Sequence, residues 1–265
     1  MKVGILGNGQ WGNALASAAR RAGHSVSICE RELPSGLDLW LIAVPSAYFR
    51  VVVKGAKAAY NKQPILICTK GIELKTNKFM SEILREELPA SKGRIGVLSG
   101  PQFAAEVANG CPSGATLAGP AAVRAKWRVV FREMFLEETL DTVGTEVSGA
   151  GKNAAAIAAG FFSVKAKGEN ERAMMVARAW DEIADIGISL GAKPRTFIGL
   201  CGIGDLFLSA TSGTSRNFSA GALIAKGKKP IGTVEGIGAI KGFIQRAKKQ
   251  GVKTPVLNFM LKQIP

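Results

Sequence analysis

An α/β fold is predicted for the first half of this 265-residue chain and an all-helical fold for the second, on three observations. Short apolar runs alternate with polar or amphipathic stretches up to about residue 146. A G-x-G-x-x-G turn, "GNGQWG" at 7–12, separates the first apolar run from an Ala-rich segment. From about residue 147 onward the apolar positions recur at three- and four-residue steps and strand-like runs cease. These observations divide the chain at 1–146 and 147–265.

Strands are expected at Lys2–Leu6, Ser25–Cys29, Leu39–Val44, Ile65–Cys68 and Ile95–Leu98, with two further pieces at Ala115–Ala118 and Thr139–Val143. Helical segments fall between several of them, at Asn13–Arg21, Arg50–Tyr60 and Lys78–Glu87. Strand–helix alternation of this kind implies a parallel sheet with right-handed crossovers. In the second half, Ala154–Phe162 reads as a dense small-residue helix. A further helix carries Ala173, Val176, Ala177, Trp180, Ile183 and Ala184, with Asn170 as N-cap and Gly191 as its stop.

Composition narrows the function classes. A hydrophobic content of 47% with 21% charged residues describes a globular protein, and no apolar run approaches the ~20 residues of a membrane span. The N-terminus makes a poor signal-peptide core, so a cytoplasmic location is expected, without stable membrane insertion. The four cysteines (Cys29, Cys68, Cys111, Cys201) lack metal spacing and there is a single His, so no metal site is expected and the thiols read as free and buried. The net charge of +15 suits either a solvated lysine surface or attraction of small phosphorylated molecules. Nucleic acid is not expected as a partner, because Tyr and Trp do not interleave with the basic residues.

The glycine turn has the context a dinucleotide requires. Gly7 would make the tight turn, Gly9 would admit the phosphates, and Gly12 would let the helix pack on the strand, with Gln10 and Trp11 in the same loop. Glu30 ends the second strand, where an acid accepts from the adenosine ribose. It favours NAD, whereas its neighbour Arg31 would pair with the 2′-phosphate of NADP. NAD or NADP is therefore the expected cofactor, with a slight lean to NAD.

Hydride transfer to a carbonyl also needs a proton donor. His24 lies on the far side of the loop, in the turn before the second strand, and reads as a turn histidine. Two lysines remain as candidates. Lys70 stands at the end of the strand "ILICT", and Lys152 in "GAGKNAAAIAAG", where small residues allow close approach.

Several segments in one order then become recognisable: "GNGQWGNALA", "AVPS", "CTKGIE", "LSGPQFAAEV", "GAGKNAAAIAAG", "GAKPRTFIGLCGIGDLFLSATSGTSRN" and "VEG". Together they resemble the NAD(P)-dependent glycerol-3-phosphate dehydrogenase family over nearly the whole chain. The resemblance implies a Rossmann-type sheet, and reversible hydride transfer between sn-glycerol 3-phosphate and dihydroxyacetone phosphate. It makes Lys152 the proton acceptor or donor. Lys70 would contact substrate and cofactor and lower the pKa of Lys152, and Asp205 would orient Lys152 or the substrate hydroxyl. Ser215, Arg216 and Asn217 would hold the phosphate, Arg216 also lying near the cofactor. Gly100, Ala104, Trp11 and Glu235 fall at substrate- or cofactor-lining positions.

The chain departs from that pattern in three places. Between Glu30 and Asp38 the connection is too short for the helix and strand usual there, so the sheet should lack an outer strand and leave the second strand as an edge. Gln102 replaces a small hydroxyl residue near the substrate. The sequence also stops early, at "KQIP". Weaker cofactor binding is the physical expectation, with catalysis retained. A nucleotide-binding protein without turnover and a lysine-dependent β-hydroxyacid dehydrogenase are the alternatives, and a homodimer is the assembly left open.

Overall fold

The computed structural model describes residues 1–30, 33–232 and 234–265. By backbone proximity the chain forms two compact units: Met1–Lys70 with Phe79–Thr142, and Gly71–Lys78 with Val143–Pro265. The second unit thus begins at Val143 rather than at 147, and it also takes a short excursion at 71–78.

The first unit is a seven-stranded sheet in the order β2-β1-β3-β4-β7-β8-β9. Its strands are β1 (Lys2–Leu6), β2 (Ser25–Cys29), β3 (Leu39–Ile42), β4 (Ile65–Ile67), β7 (Ile95–Ser99), β8 (Gly114–Ala118) and β9 (Phe135–Thr139), with the two-residue strands β5 (Ile72–Glu73) and β6 (Lys78–Phe79) pairing separately. Strands β2, β1, β3, β4 and β7 are mutually parallel, but β8 runs antiparallel to β7, so the expected parallel sheet is mixed. Successive residues point to opposite faces, as the pleat demands. Val3, Ile5, Leu39, Leu41 and Leu66 join one core with helices α1 (Gln10–Arg21) and α5 (Ala121–Val130). Leu6, Trp40, Ile42, Ile65 and Ile67 join the other with α2 (Phe49–Ala56) and α3 (Met80–Glu87).

The short connection after β2 has a physical substitute for the missing crossover. Leu33 and Leu37 are buried, and a Cβ on Gly4 of β1 would lie 2.3 Å from Leu37 Cδ1 and 2.8 Å from Leu33 Cδ2. Two leucines therefore seal the sheet face, and β2 is left as the edge.

Three local expectations are corrected. Thr139–Val143 is not a strand: β9 ends at Thr139 and a helix starts at Thr142. Its partner register, Gly114↔Phe135 to Ala118↔Thr139, pulls the acidic "FLEET" run into an edge strand with little burial, which hides it from an apolar pattern. Asn170 is not a cap, because the helix begins at Glu169 and Glu171 Oε2 accepts from the Lys167 amide at 2.7 Å. Of the cysteines only Cys68 and Cys201 are buried, while Cys111 is exposed.

The described part of the second unit is helical apart from β5 and the β6 residue Lys78: α6 (Thr142–Lys165), α7 (Glu169–Ser189), α8 (Pro194–Phe197), α9 (Asp205–Thr211), α10 (Arg216–Ala225), α11 (Glu235–Gln250) and α12 (Pro255–Gln263). α6 is its spine, with 143–165 inside this unit and Gly144–Phe162 buried except for Lys152. Glycines set how closely neighbours approach. A Cβ on Gly151 would lie 2.3 Å from Ile183 of α7, and one on Gly221 of α10 would lie 2.0 Å from the Ile157 carbonyl oxygen. No single helix among the described residues is long and apolar enough to cross a membrane, although the bent pair 194–211 and 216–225 meets such a test jointly.

Candidate active site

In the first unit the glycine turn lies at the carboxyl end of β1. The chain goes from β1 to β2 on one side and reaches β3 on the other, so this is the topological switch point where open sheets bind ligands. Gly7 takes φ 123°, and a Cβ there would lie 2.5 Å from the Ala43 carbonyl oxygen. Gly12 has no room either, since its Cβ would meet the Gly7 carbonyl oxygen at 1.9 Å. Gly9 differs: its Cβ position faces open space, which leaves the backbone approachable. Gly9 caps α1, and the first-turn amides from Gln10 onward point out of the helix end toward that space. This geometry fits a dinucleotide pyrophosphate.

Trp11 is half-buried, packs on the core and donates its indole N–H to the Cys68 carbonyl at 3.2 Å. Burial pushes the Cys68 thiol well up, with Lys70 opposing only in part. Lys70 follows β4, and its Nζ donates to the Gly100 carbonyl at 3.0 Å. Gly100 leaves no room for a side chain, since a Cβ there would lie 2.6 Å from Ala115 Cα. Ala104 starts α4 (Ala104–Ala108) and packs on the same core as Trp11. Gln102 turns toward Met134, its Nε2 lying 3.3 Å from the sulfur. Glu30 is exposed just past β2, and Arg31 lies outside the described residues. His24 bonds to the Met1 amino group through Nδ1 and to the Val129 carbonyl through Nε2, which accounts for it structurally.

The second unit holds the other lysine candidate, Lys152. Lys152 projects from α6 and is 15% exposed. Its Nζ lies 2.8 Å from Ser209 Oγ and 3.0 Å from Asp205 Oδ1. Asp205 is 1% exposed, and a carboxylate so buried requires a cation or donors to offset its lost hydration. Its placement depends on the preceding turn. Leu200–Gly204 is a π-helical segment in which the Gly204 amide bonds to the Gly199 carbonyl, and the wider turn hands Asp205 to the first position of α9. Gly202 is needed there, since a Cβ would meet the Phe197 carbonyl oxygen at 2.1 Å. Ser209 was not singled out in the sequence, yet it follows Asp205 by one helical turn and so shares its face.

Ser215 caps α10, its Oγ accepting from the Phe218 amide at 3.4 Å. Arg216, the first residue of that helix, is exposed, and its side chain has no hydrogen bond or ion pair among the described residues. Asn217 donates to Asn153 Oδ1 at 2.9 Å and accepts from the Gly236 amide at 3.0 Å, while Asn153 Nδ2 lies 3.5 Å from Glu235 Oε2. Asn153 also escaped the sequence reading, because only its distant partners distinguish it from a neighbour of Lys152. No group of three or more His, Cys, Asp or Glu among the described residues is placed to hold a metal.

Comparison with known proteins gives the family. The chain matches the N-terminal model of NAD-dependent glycerol-3-phosphate dehydrogenase over residues 31–124 and its C-terminal model over 141–264. It is 35% identical to the glycerol-3-phosphate dehydrogenase [NAD(P)+] of Symbiobacterium thermophilum, covering 97% of this chain and 87% of that one. The protein of that name from Caulobacter vibrioides is 34% identical, over 96% and 90%. Among solved structures, the glycerol-3-phosphate dehydrogenase of Coxiella burnetii superposes with a TM-score of 0.86 at 27% identity, over 98% and 94%. A paired lysine and aspartate, a glycine turn at the switch point and two matching family models lead to one conclusion: the chain belongs to the NAD-dependent glycerol-3-phosphate dehydrogenase family.

Proposed function

We propose that this chain reversibly converts dihydroxyacetone phosphate and NAD(P)H to sn-glycerol 3-phosphate and NAD(P)+, for glycerophospholipid synthesis. The observation that carries the reading is the buried Asp205 carboxylate 3.0 Å from Lys152 Nζ on a small-residue helix. The family resemblance supports it further and weighs against both the non-catalytic and the β-hydroxyacid alternatives.

The nicotinamide, when bound, supplies or receives the hydride. Every other task falls to the chain. The first-turn amides of α1 with Gly7, Gly9, Gln10, Trp11 and Gly12 take the pyrophosphate side of the dinucleotide, and the family resemblance adds Lys70 and Ala104 of the first unit and Glu235 of the second as dinucleotide contacts. Glu30, exposed at the end of β2, supports the slight preference for NAD. Lys152 gives its proton to the carbonyl oxygen in reduction and takes it from the hydroxyl in oxidation. Asp205 and Ser209 fix the ammonium by two acceptors from one helical turn, so no reorganisation is needed at the moment of transfer. The capped N-terminus of α10, with Ser215 and the open Arg216 guanidinium, receives the phosphate; a helix amino end and a planar fork both match phosphate oxygens. The family resemblance assigns Gly100 and Gln102 of the first unit and Asn217 of the second to the substrate, and Gln102 meets it only if it turns from Met134.

Four free cysteines fit a reducing compartment, and the cytoplasm is the location proposed. A homodimer is the proposed assembly, supported by exposed Ile203 and Phe207. A single 27.8 kDa species in light scattering would oppose it.

The deciding test is Lys152→Ala, followed by NADH consumption with dihydroxyacetone phosphate and by NADH fluorescence. General acid catalysis is worth about 10²–10⁴ in rate, so kcat should fall by at least roughly a hundredfold with NADH binding retained. Appreciable turnover would reject Lys152 as the acid.

A further inference from the structure

The chain from Gly100 to Ser113 joins β7 to β8 and carries Gly100, Gln102 and Ala104, which the family resemblance assigns to substrate or dinucleotide. Its regular part is only the five residues of α4. A helix this short is marginal by itself, because too few of its bonds offset the cost of ordering it. Its carboxyl end has a further deficit. Pro112, four residues beyond Ala108, has no N–H to give the Ala108 carbonyl.

Arg21, the last residue of α1, makes up that deficit. Its Nη1 donates to the Ala108 carbonyl at 2.7 Å and its Nη2 to the Val107 carbonyl at 2.9 Å, while its Nε donates to Glu133 Oε2 at 3.1 Å. Gly110 turns the chain at φ 76° beside the guanidinium, and a Cβ there would lie 3.5 Å from Arg21 Nε. One side chain thus ties the end of α1, the end of α4 and the turn before β9, all within the first unit. A planar fork suits two successive helix carbonyls, and its charge opposes the negative end of the helix dipole.

We propose that Arg21 is a positioning residue for the dinucleotide: it holds α4 folded against α1, so that Ala104 keeps its place relative to the glycine turn at the other end of α1. The proposal rests on the family reading that Ala104 contacts the dinucleotide. Arg21 itself acts at a distance. The helix from Gln10 to Arg21 is about 16 Å long at 1.5 Å per residue, so the guanidinium works through α4 and not on the ligand. Dinucleotide affinity then scales with the fraction of molecules in which α4 is latched. The Arg21 side chain is 34% exposed, so water replaces part of what its removal takes away, and the expected loss is moderate.

The test compares Arg21→Ala, Arg21→Lys, Glu133→Gln and Ala104→Asp, reading the Kd of NADH by fluorescence, kcat at saturating NADH, and amide hydrogen exchange along the first unit. Arg21→Ala should raise the Kd by about tenfold, as expected if α4 is latched about a tenth of the time, with kcat changing less than about threefold. Exchange should quicken at the amides of Val107, Asn109 and Cys111, which bond to the carbonyls of Phe103, Ala105 and Glu106, and stay native in β1 and β3. Arg21→Lys offers one ammonium to one carbonyl, so it should lie between wild type and alanine, and it carries the test if alanine fails to fold. Glu133→Gln leaves both carbonyl bonds in place and should change the Kd less than about twofold. Three results would overturn the latch: native exchange in α4 of both Arg21 variants, exchange that quickens evenly across the whole unit, or a Glu133→Gln defect equal to that of Arg21→Ala. Native NADH Kd in the Arg21 variants, with α4 loosened and Ala104→Asp binding NADH poorly, would also reject the positioning role. Native NADH affinity in Ala104→Asp would instead remove the reading of Ala104, and the exchange data alone would then judge the latch.

Discussion

Asp205 and Ser209 do unequal work on Lys152. The carboxylate is buried and charged, whereas the hydroxyl is neutral. A hydrogen bond involving a charged group contributes about 1.5–3 kcal/mol and a neutral one about 0.5–1.5 kcal/mol. Asp205→Asn should therefore lower kcat by roughly ten- to a hundredfold, and Ser209→Ala by a few-fold only. Steady-state kinetics at saturating NADH checks the ranking, and an equal or reversed order would show that Asp205 is a structural cap. The surrounding glycines are residue-scale requirements too. Gly9, with open space at its Cβ position, should tolerate alanine for folding while losing dinucleotide affinity, whereas Gly12→Ala, aimed at a carbonyl oxygen 1.9 Å away, should lose the fold as well.

At the scale of elements, the second unit relies on a buried acid to anchor its last helix. Glu182 of α7 is 7% exposed, and its carboxylate accepts from the amides of Val256 at 2.6 Å and Leu257 at 2.9 Å, in the first turn of α12. Burial nevertheless raises its pKa above the usual carboxylate value, with the two amides and Arg178 opposing in part and Asp185 adding to the rise. The folded state therefore binds the proton more tightly than the unfolded chain. This contribution to stability is complete below the ordinary Glu pKa and is lost as pH rises through the raised one. Glu182→Gln should remove that slope from a plot of melting temperature against pH. Glu182→Ala should cost about 1–3 kcal/mol, because two buried amides lose their acceptor. A variant plot parallel to that of the wild type would exclude Glu182 as the titrating group.

At the scale of the whole molecule, the +15 charge bears on substrate capture. A strongly cationic protein attracts a phosphorylated dianion at a rate that falls as salt shortens the range of the field to about 8 Å at 0.15 M. Raising ionic strength should lower kcat/KM for dihydroxyacetone phosphate severalfold while changing kcat little. A salt-independent kcat/KM would mean that the lysines serve solubility alone.

Legible in the linear sequence are the change from α/β to helical pattern, six of the strands to within two residues, the glycine turn and the short connection that leaves β2 as an edge. Each of these depends on period and turn chemistry written within a few neighbouring positions. Lys152 stands out with Lys70 by local context, the resemblance chooses between them and adds Asp205, and β9 escapes because an acidic edge strand carries little apolar pattern. Only the tertiary structure supplied Ser209 and the Asn153–Asn217–Gly236 chain, and only it turned β8 against β7. Those features pair residues 57, 64 and 19 positions apart, or strands with the short helix α4 between them. Their partners are chosen by how closely glycines let helices approach and by the sheet register, and neither is encoded in the local run of residues.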